Sequence, residues 1–134
     1  PGAEITFEDP AVLVELANRA ALSAASPVID QLRRAAKAYP AGLDFAIFCY
    51  VRQGDRVDAR MFAPLDNMVE DPATGSASAT LTSLLASLPG GPSGLAIAQG
   101  DDMGRPSRIT TETGPKGVTV RGQAVKVMQG RLCL

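Results

Sequence analysis

The chain contains no histidine, no tryptophan and only 4% aromatic residues among its 134 positions. Without an imidazole it cannot form by itself a Ser-His-Asp or Cys-His triad, or a histidine-ligated zinc or iron site. The scarcity of aromatic side chains also argues against the stacking platforms that bind single-stranded nucleic acid. Any proton transfer must therefore use a carboxylate, lysine, tyrosine or cysteine side chain.

Cysteine is nearly as scarce as histidine. Cys49 and Cys133 are the two thiols, and each lies in an apolar segment. Two cysteines are too few for a disulfide framework or a thiolate metal site. We therefore predict that both are buried core thiols and that the chain binds no metal.

Charge is balanced overall but uneven along the chain. Thirteen basic and fourteen acidic residues give a net charge of -1, which argues against a nucleic-acid or membrane-surface partner. No apolar run reaches about 18 residues, so we expect a soluble cytoplasmic protein. Residues 103–134 nevertheless carry six basic residues and one acidic residue. These charges either form the solvent faces of the closing strands or attract an anionic ligand.

Hydrophobic periodicity predicts one α+β domain over residues 1–134. An amphipathic helix is expected at residues 27–38, where Ser26 caps a first turn that begins with Pro27. Strands at 44–52 and 56–63 are expected to form a hairpin. Further strands are predicted at residues 11–16, 95–99, 107–113, 118–121 and 124–134.

The stretch from residue 72 to residue 100 contains no charged side chain. Within it, residues 76–88 are rich in Ala, Ser, Thr and Leu, and Pro89 and Gly90 end the segment. A helix without a charged face is normally buried all round. We therefore expect residues 76–88 to form a central helix with the strands wrapped about it.

The start of this helix is a candidate site. Pro72 biases Asp71 towards an extended conformation, which holds its carboxylate just ahead of the helix. Thr74, Gly75 and Ser76 supply the first amides, which have no partner inside the helix, and Gly75 allows close approach of a ligand. A carboxylate beside an anion-binding helix terminus suits a carboxylate substrate that gains or loses a proton. The alternative is purely structural: Thr74 or Ser76 is an N-cap and Asp71 a turn residue.

A second candidate is Arg105, which lies in a loop rich in Gly and Pro. Its guanidinium is suited to bidentate binding of a carboxylate. Equally, it is suited to a surface ion pair with Asp101 or Asp102. The sequence leaves both interpretations open.

Three motifs follow one another in the chain: Arg60-x-Phe62-Ala63-Pro64, then Glu70-Asp71-Pro72-Ala73-Thr74-Gly75-Ser76-Ala77, then Gln99-Gly100-x-x-Met103-Gly104-Arg105-Pro106-Ser107. Together with the closing segment Val118-x-Val120-x-Gly122-x-Ala124-Val125, they closely resemble the C-terminal half of the PhzF-like phenazine-biosynthesis family. The resemblance runs from about residue 12 to the end. It implies one half of the diaminopimelate epimerase-like fold, with a mixed, mostly antiparallel sheet wrapped around a central buried helix.

The resemblance also implies a function. Family members place the active site between two similar domains, need no metal or organic cofactor, and isomerise a small, cyclic or amino carboxylate by acid–base proton transfer. Carried onto this sequence, Asp71 is the assisting carboxylate, and Gly75 and Ser76 bind the substrate carboxylate. Thr74 is a weaker candidate for substrate binding, and Arg105 is carried over only as a motif position.

Two departures from the family pattern bear on this expectation. The principal proton-shuttling glutamate and a supporting histidine of the family lie in an N-terminal domain that this sequence does not contain. Asp66 and Asn67 stand where many members carry glycine. We therefore expect half of an active site, inactive alone, in a fragment or a natural split subunit. Its partner would be the N-terminal domain, a second chain or a second copy in a homodimer, and the alternative function is non-catalytic binding of a small carboxylate or of a protein.

Overall fold

The computed structural model describes residues 11–38 and 45–131. Seven strands, three α-helices and a single 3-10 turn make up this part of the chain. In chain order they are β1 (Ala11–Glu15), α1 (Arg19–Ala24), α2 (Ile29–Ala38), β2 (Ala46–Gln53), β3 (Arg56–Ala63), the 3-10 turn (Pro64–Asp66), β4 (Met68–Asp71), α3 (Gly75–Ser87), β5 (Gly94–Gln99), β6 (Ser107–Gly114) and β7 (Gly117–Arg121). The predicted α+β class is confirmed.

All seven strands belong to one sheet, in the order β1-β2-β3-β5-β6-β7, with β4 paired to β3. Two pairings are parallel, β1 with β2 and β3 with β5. The other four pairings are antiparallel. The expectation of a mixed, mostly antiparallel sheet is therefore confirmed. The predicted hairpin is β2–β3, and its turn contains Gly54 at a φ of 65°.

Alternation along β2 and β3 divides the core between the two faces of the sheet. On one face, Phe48, Val57 and Met61 pack with Leu81 of α3. On the other face, Leu22 of α1 packs with two residues from β2 and β3, Cys49 and Phe62. The prediction that Cys49 is a buried thiol is confirmed, whereas Cys133 lies outside the described residues. The domain thus has helices on both faces of one sheet.

Helix α3 is not buried on every side. Its buried face carries Ala77, Ser78, Leu81, Thr82 and Leu85, while Thr80, Ser83, Leu84 and Ser87 are exposed. The expectation of a helix enclosed all round by strands is not confirmed for the described residues. On the buried face, the hydroxyl groups are satisfied by carbonyls one turn earlier, as Thr82 Oγ1 is by Ser78 O at 2.7 Å.

Some predicted elements differ from the observed ones. Residues 122–131 form neither helix nor strand, so the strand predicted at 124–134 is wrong for the described part of that range, and residues 132–134 lie outside it. Within the described residues no strand pairs with the outer edge of β7, and Val125 and Val127 are 86% and 89% exposed. Helix α1 and strand β4 were not predicted. The side chain of Asn18 caps α1 by accepting a hydrogen bond from Ala21 N at 2.9 Å.

None of the described helices combines the length and the apolar character needed to cross a bilayer.

Candidate functional site at the start of the third helix

Strand β3 brings the second and third sequence motifs together. The edge of β3 that faces away from β2 pairs with two strands, β5 and β4. Ala59 is in register with Gln99 of β5, and Met61 is in register with Asp71 of β4. The carboxyl ends of β4 and β5 therefore meet beside β3, although Asp71 and Gln99 are 28 residues apart in sequence. The chain turns at Pro72 and enters α3 at Gly75.

The side chain of Gln99 is the centre of this junction, and it is fully buried. Gln99 Nε2 donates a hydrogen bond to Asp71 O at 2.7 Å and another to Thr74 Oγ1 at 2.9 Å. Gln99 Oε1 accepts a hydrogen bond from Thr74 N at 3.1 Å. One buried amide thus connects the end of β5 to both ends of the turn that leads into α3.

The carboxylate of Asp71 is held by the same turn. Thr74 Oγ1 donates to Asp71 Oδ2 at 2.6 Å, and Ala73 N donates to Asp71 Oδ1 at 3.3 Å. Asp71 itself is half-buried. Glu70, the adjacent residue on β4, points to the opposite face, as successive strand residues do. The orientation of the Asp71 carboxylate is therefore set by Thr74.

Thr74 occupies the N-cap position of α3 without capping the helix. Its side chain makes no hydrogen bond to an amide of the first turn, because the hydroxyl is engaged by Asp71 and Gln99. The first bond of the helix runs from Ser78 N to Thr74 O at 3.1 Å. The structural interpretation is wrong in making the Thr74 side chain a helix cap, whereas Asp71 does act as a turn residue, accepting a hydrogen bond from Ala73 N. The amides that begin α3 keep their positive partial charge for another acceptor.

Gly75 and Ser76 open onto a groove of about 960 Å³ between the exposed face of α3 and strand β7. A Cβ atom on Gly75 would lie 3.7 Å from Val120 Cγ1, which is an ordinary contact. Packing within the described chain therefore does not require glycine at this position. The groove is lined by side chains of α3 such as Ala79 and Thr80, by Lys116 of the β6–β7 turn and by Val118 of β7.

Arg105 is not brought into this groove. Its side chain is exposed, and it does not line the groove, while its backbone N donates to Gly100 O at 2.9 Å. The expected alternative, an ion pair of Arg105 with Asp101 or Asp102, is wrong. Those carboxylates pair with Arg108 at 3.1 Å and with Arg19 at 2.8 Å.

The loop at residues 100–106, in the third motif, instead packs against the turn at residues 71–74, in the second motif. Gly100 has a φ of 82°, and a Cβ atom there would lie 2.2 Å from Arg105 O and 3.0 Å from Pro72 O. Only glycine fits this approach of two backbone segments. Ser107 Oγ adds a hydrogen bond to Pro72 O at 2.7 Å. The role of this loop in the described structure is support of the Asp71–Thr74 turn.

A buried ion pair next to the site was missed by sequence reasoning. Arg60 Nε and Nη2 donate to the two carboxylate oxygens of Glu70 at 2.9 and 2.8 Å, and both side chains are only 11% exposed. Arg60 Nη1 also donates to the carbonyls of Leu22, Ser23 and Ala25 at the end of α1. Its guanidinium carbon lies 4.8 Å from the centre of the Phe62 ring. The sequence does indicate this environment, because Arg60 lies two residues before the buried Phe62 and therefore on the same face of β3.

These contacts change proton affinities in the same region. The hydrogen bond to Glu70 raises the pKa of Arg60 further above its usual value, although burial opposes the shift. Burial works against ionisation of Asp102, but hydrogen bonds from Arg19 and Ser23 and the charges of Arg19 and Arg60 outweigh it, so the pKa of Asp102 is lowered. Burial raises the pKa of the Cys49 thiol, and the Arg60 charge offsets only part of this. Cys49 is therefore a poor nucleophile.

Within residues 11–38 and 45–131, no three His, Cys, Asp or Glu side chains come together as a metal site would require.

Comparison with known proteins identifies relatives over nearly the whole chain. Residues 5–130 match the PhzC-PhzF family model, described as phenazine biosynthesis-like protein. The chain is 37% identical over 131 residues to the trans-2,3-dihydro-3-hydroxyanthranilate isomerase of Pseudomonas aeruginosa, an alignment that covers 92% of this chain and 44% of the relative. It is 40% identical over 90 residues to an uncharacterized isomerase of Deinococcus radiodurans, covering 63% of this chain and 28% of the relative.

A solved structure with a similar fold is that of a predicted epimerase from Pseudomonas aeruginosa. The two share 26% sequence identity with a TM-score of 0.58, over 91% of this chain and 43% of the other. The chain thus spans less than half the length of the relatives that it matches.

Proposed function

Because this chain belongs to the PhzC-PhzF family of phenazine biosynthesis-like proteins, we propose that it supplies half of the active site of an isomerase that moves a proton on a small carboxylate. The observation that carries the proposal is the turn between β4 and α3. It sets the Asp71 carboxylate, held by Thr74 at 2.6 Å, beside helix amides that the Thr74 side chain does not cap.

The proposed roles follow from what each group offers. The substrate carboxylate accepts hydrogen bonds from the backbone N–H groups of Gly75 and Ser76, where the helix dipole favours negative charge. Asp71 does not itself line the groove, but its carboxylate is held in the turn directly ahead of these amides, and in the closed site it gives or takes a proton on the substrate carbon skeleton. Thr74 keeps Asp71 in that orientation. The exposed Arg105 side chain makes no hydrogen bond to Asp71 or Thr74 and does not line the groove, so we assign it no contact with the substrate.

We propose that no cofactor takes part, because proton transfer between carbon atoms needs only an acid–base pair and a site that orients the substrate. Asp71 is one member of this pair. The second member would come from the partner that closes the open groove beside α3. That partner is either the remainder of a longer protein or a second chain. The coverage of only 44% of the Pseudomonas isomerase supports the first of these.

The test uses the intact protein that carries this chain, in deuterium oxide. Its substrate is trans-2,3-dihydro-3-hydroxyanthranilate, the compound in the relative's name. We expect isomerisation with deuterium incorporation at carbon, and a loss of about 10²–10⁴-fold in rate for Asp71→Asn because an acid–base group is removed. Asp30→Asn, on the exposed side of α2, is the matched control, since Asp30 is 85% exposed.

Two outcomes would contradict the proposal. An Asp71→Asn variant as active as Asp30→Asn would remove Asp71 from the chemistry. Saturable binding of the compound without turnover or deuterium incorporation would instead indicate a carboxylate-binding domain that is not an enzyme. Light scattering and the intact mass of the protein distinguish a longer chain from a homodimer of this one.

A further inference from the structure

Gln99 has no access to the groove, yet it makes three hydrogen bonds to the turn that forms the site. The chemistry of its partners leaves one orientation for its amide. The Thr74 N–H can only donate, so it must meet the Gln99 oxygen, and the Asp71 carbonyl can only accept, so it must meet the Gln99 nitrogen. The second N–H of that nitrogen then points at Thr74 Oγ1.

This orientation determines what the Thr74 hydroxyl does. A hydroxyl has one hydrogen and two lone pairs, and one lone pair of Thr74 Oγ1 is used by Gln99 Nε2 at 2.9 Å. The hydrogen is directed to Asp71 Oδ2 at 2.6 Å, and with both bonds made the remaining lone pair meets no amide of the first helical turn. In the same position without such a partner, a threonine oxygen accepts from an amide of the first helical turn and becomes an N-cap.

We propose that Gln99 is a positioning residue that keeps the Thr74 oxygen away from the first amides of α3, so that these amides remain free for the substrate carboxylate. The inference rests on the proposed function for the identity of the ligand. It assigns the buried glutamine of the third motif a role in substrate affinity that is exerted through Thr74. Gln99 touches neither the groove nor the substrate.

The predicted consequence is a competition that can be measured. Without the Gln99 amide, Thr74 Oγ1 is free to cap the helix, and a bound carboxylate must displace it. An N-cap of this kind shifts an equilibrium by about 5-fold, so Gln99→Met should raise KM by about that factor. Thr74→Val removes the donor to Asp71, so we expect kcat to fall by about 10-fold. Because valine has no oxygen with which to cap the helix, KM should stay unchanged.

The experiment combines these variants in the intact protein, with trans-2,3-dihydro-3-hydroxyanthranilate as the probe. We expect KM of the double variant Thr74→Val, Gln99→Met to return to that of Thr74→Val alone. Amide hydrogen exchange, which needs no substrate, should slow at Ser76 and Ala77 in Gln99→Met and not in the double variant. Thr111→Val removes a buried hydrogen bond to Thr82, on the buried face of α3, and is the control for general loosening.

A KM increase for Gln99→Met that persists in the Thr74→Val background would overturn the proposal, as would unchanged exchange at Ser76 and Ala77. If Gln99→Met does not fold, Gln99→Leu replaces it, because this smaller apolar side chain also lacks the donor to Thr74 Oγ1. A protein that does not isomerise the probe contradicts the proposed function, whereas the exchange measurement still decides the role of Gln99.

Discussion

Replacing Glu70 by glutamine tests whether the buried ion pair beside the site stabilises the fold. Glu70→Gln keeps the size of the side chain and removes its charge, which leaves the Arg60 guanidinium with the carbonyls at the end of α1 and with Asp102 at 4.0 Å. Removing one partner of a buried pair typically costs 3–5 kcal/mol. Since three carbonyls remain bonded to Arg60, we expect the lower end, about 3 kcal/mol.

The chain contains a matched control on two other neighbouring strands. Glu112 of β6 pairs with Arg121 of β7 at 3.2 Å, and these side chains are 64% and 59% exposed. Glu112→Gln makes the same chemical change at the surface, where screening by water reduces the expected cost to about 0.5 kcal/mol. The two variants therefore differ mainly in the burial of the pair.

The assay is reversible unfolding followed by circular dichroism, with urea and with heat. A loss of about 3 kcal/mol corresponds to a fall in Tm of roughly 10 °C for a domain of this size, against about 2 °C for the control. Equal losses for Glu70→Gln and Glu112→Gln would refute the reasoning. They would mean that water or the α1 carbonyls compensate the Arg60 charge as fully as Glu70 does.

Two further predictions concern the loop that follows β5. Gly100→Ala should destabilise the protein by more than Gly104→Ala, and should also slow turnover. Both glycines have a positive φ, which costs an alanine about 1–2 kcal/mol, but only at Gly100 would the new Cβ atom meet backbone oxygens, at 2.2 Å from Arg105 O. Comparing the two unfolding free energies and kcat values checks this, and equal effects would show that the loop adjusts freely. Asp102, whose pKa is lowered below its usual 3.8, should stabilise the fold above that pH and lose this contribution as the pH falls through its folded-state pKa. The stability difference between the wild type and Asp102→Asn should therefore shrink on acidification, and a difference independent of pH would contradict the sign.

Local patterns in the sequence were sufficient for most of the sheet. Alternation of apolar and polar residues along 56–63, with a turn at Gly54, predicted the β2–β3 hairpin because a two-residue period is a property of the strand itself. Strands were also predicted at residues 95–99 and 107–113, where β5 and β6 are found. Strand β4 was missed because its four residues include Met68 and Val69 on no clear period, and it forms only by pairing with β3.

Two predictions that depended on tertiary contacts were not confirmed. The absence of charge in residues 76–88 was interpreted as burial on every side, whereas the helix buries one face and satisfies its hydroxyls internally. The strand predicted at 124–134 has the composition of a strand, but an extended segment becomes a strand only when another strand accepts its hydrogen bonds. Composition indicates which secondary structure a segment favours, and the strands and helices packed against it decide whether that structure forms.

The sequence by itself determined the chemistry of the candidate site: a carboxylate held extended by Pro72, a glycine and small polar residues at the start of a helix, and no histidine anywhere. These features follow from residue type and from steps between adjacent residues. Only the tertiary structure decided that Gln99 joins Asp71 to Thr74, that Arg105 lies outside the groove, and that Arg60 is buried against Glu70. The reason is that β3 pairs with β4 and β5 end to end along one edge, and a contact between two strands that share only a neighbour leaves no periodic trace in the sequence.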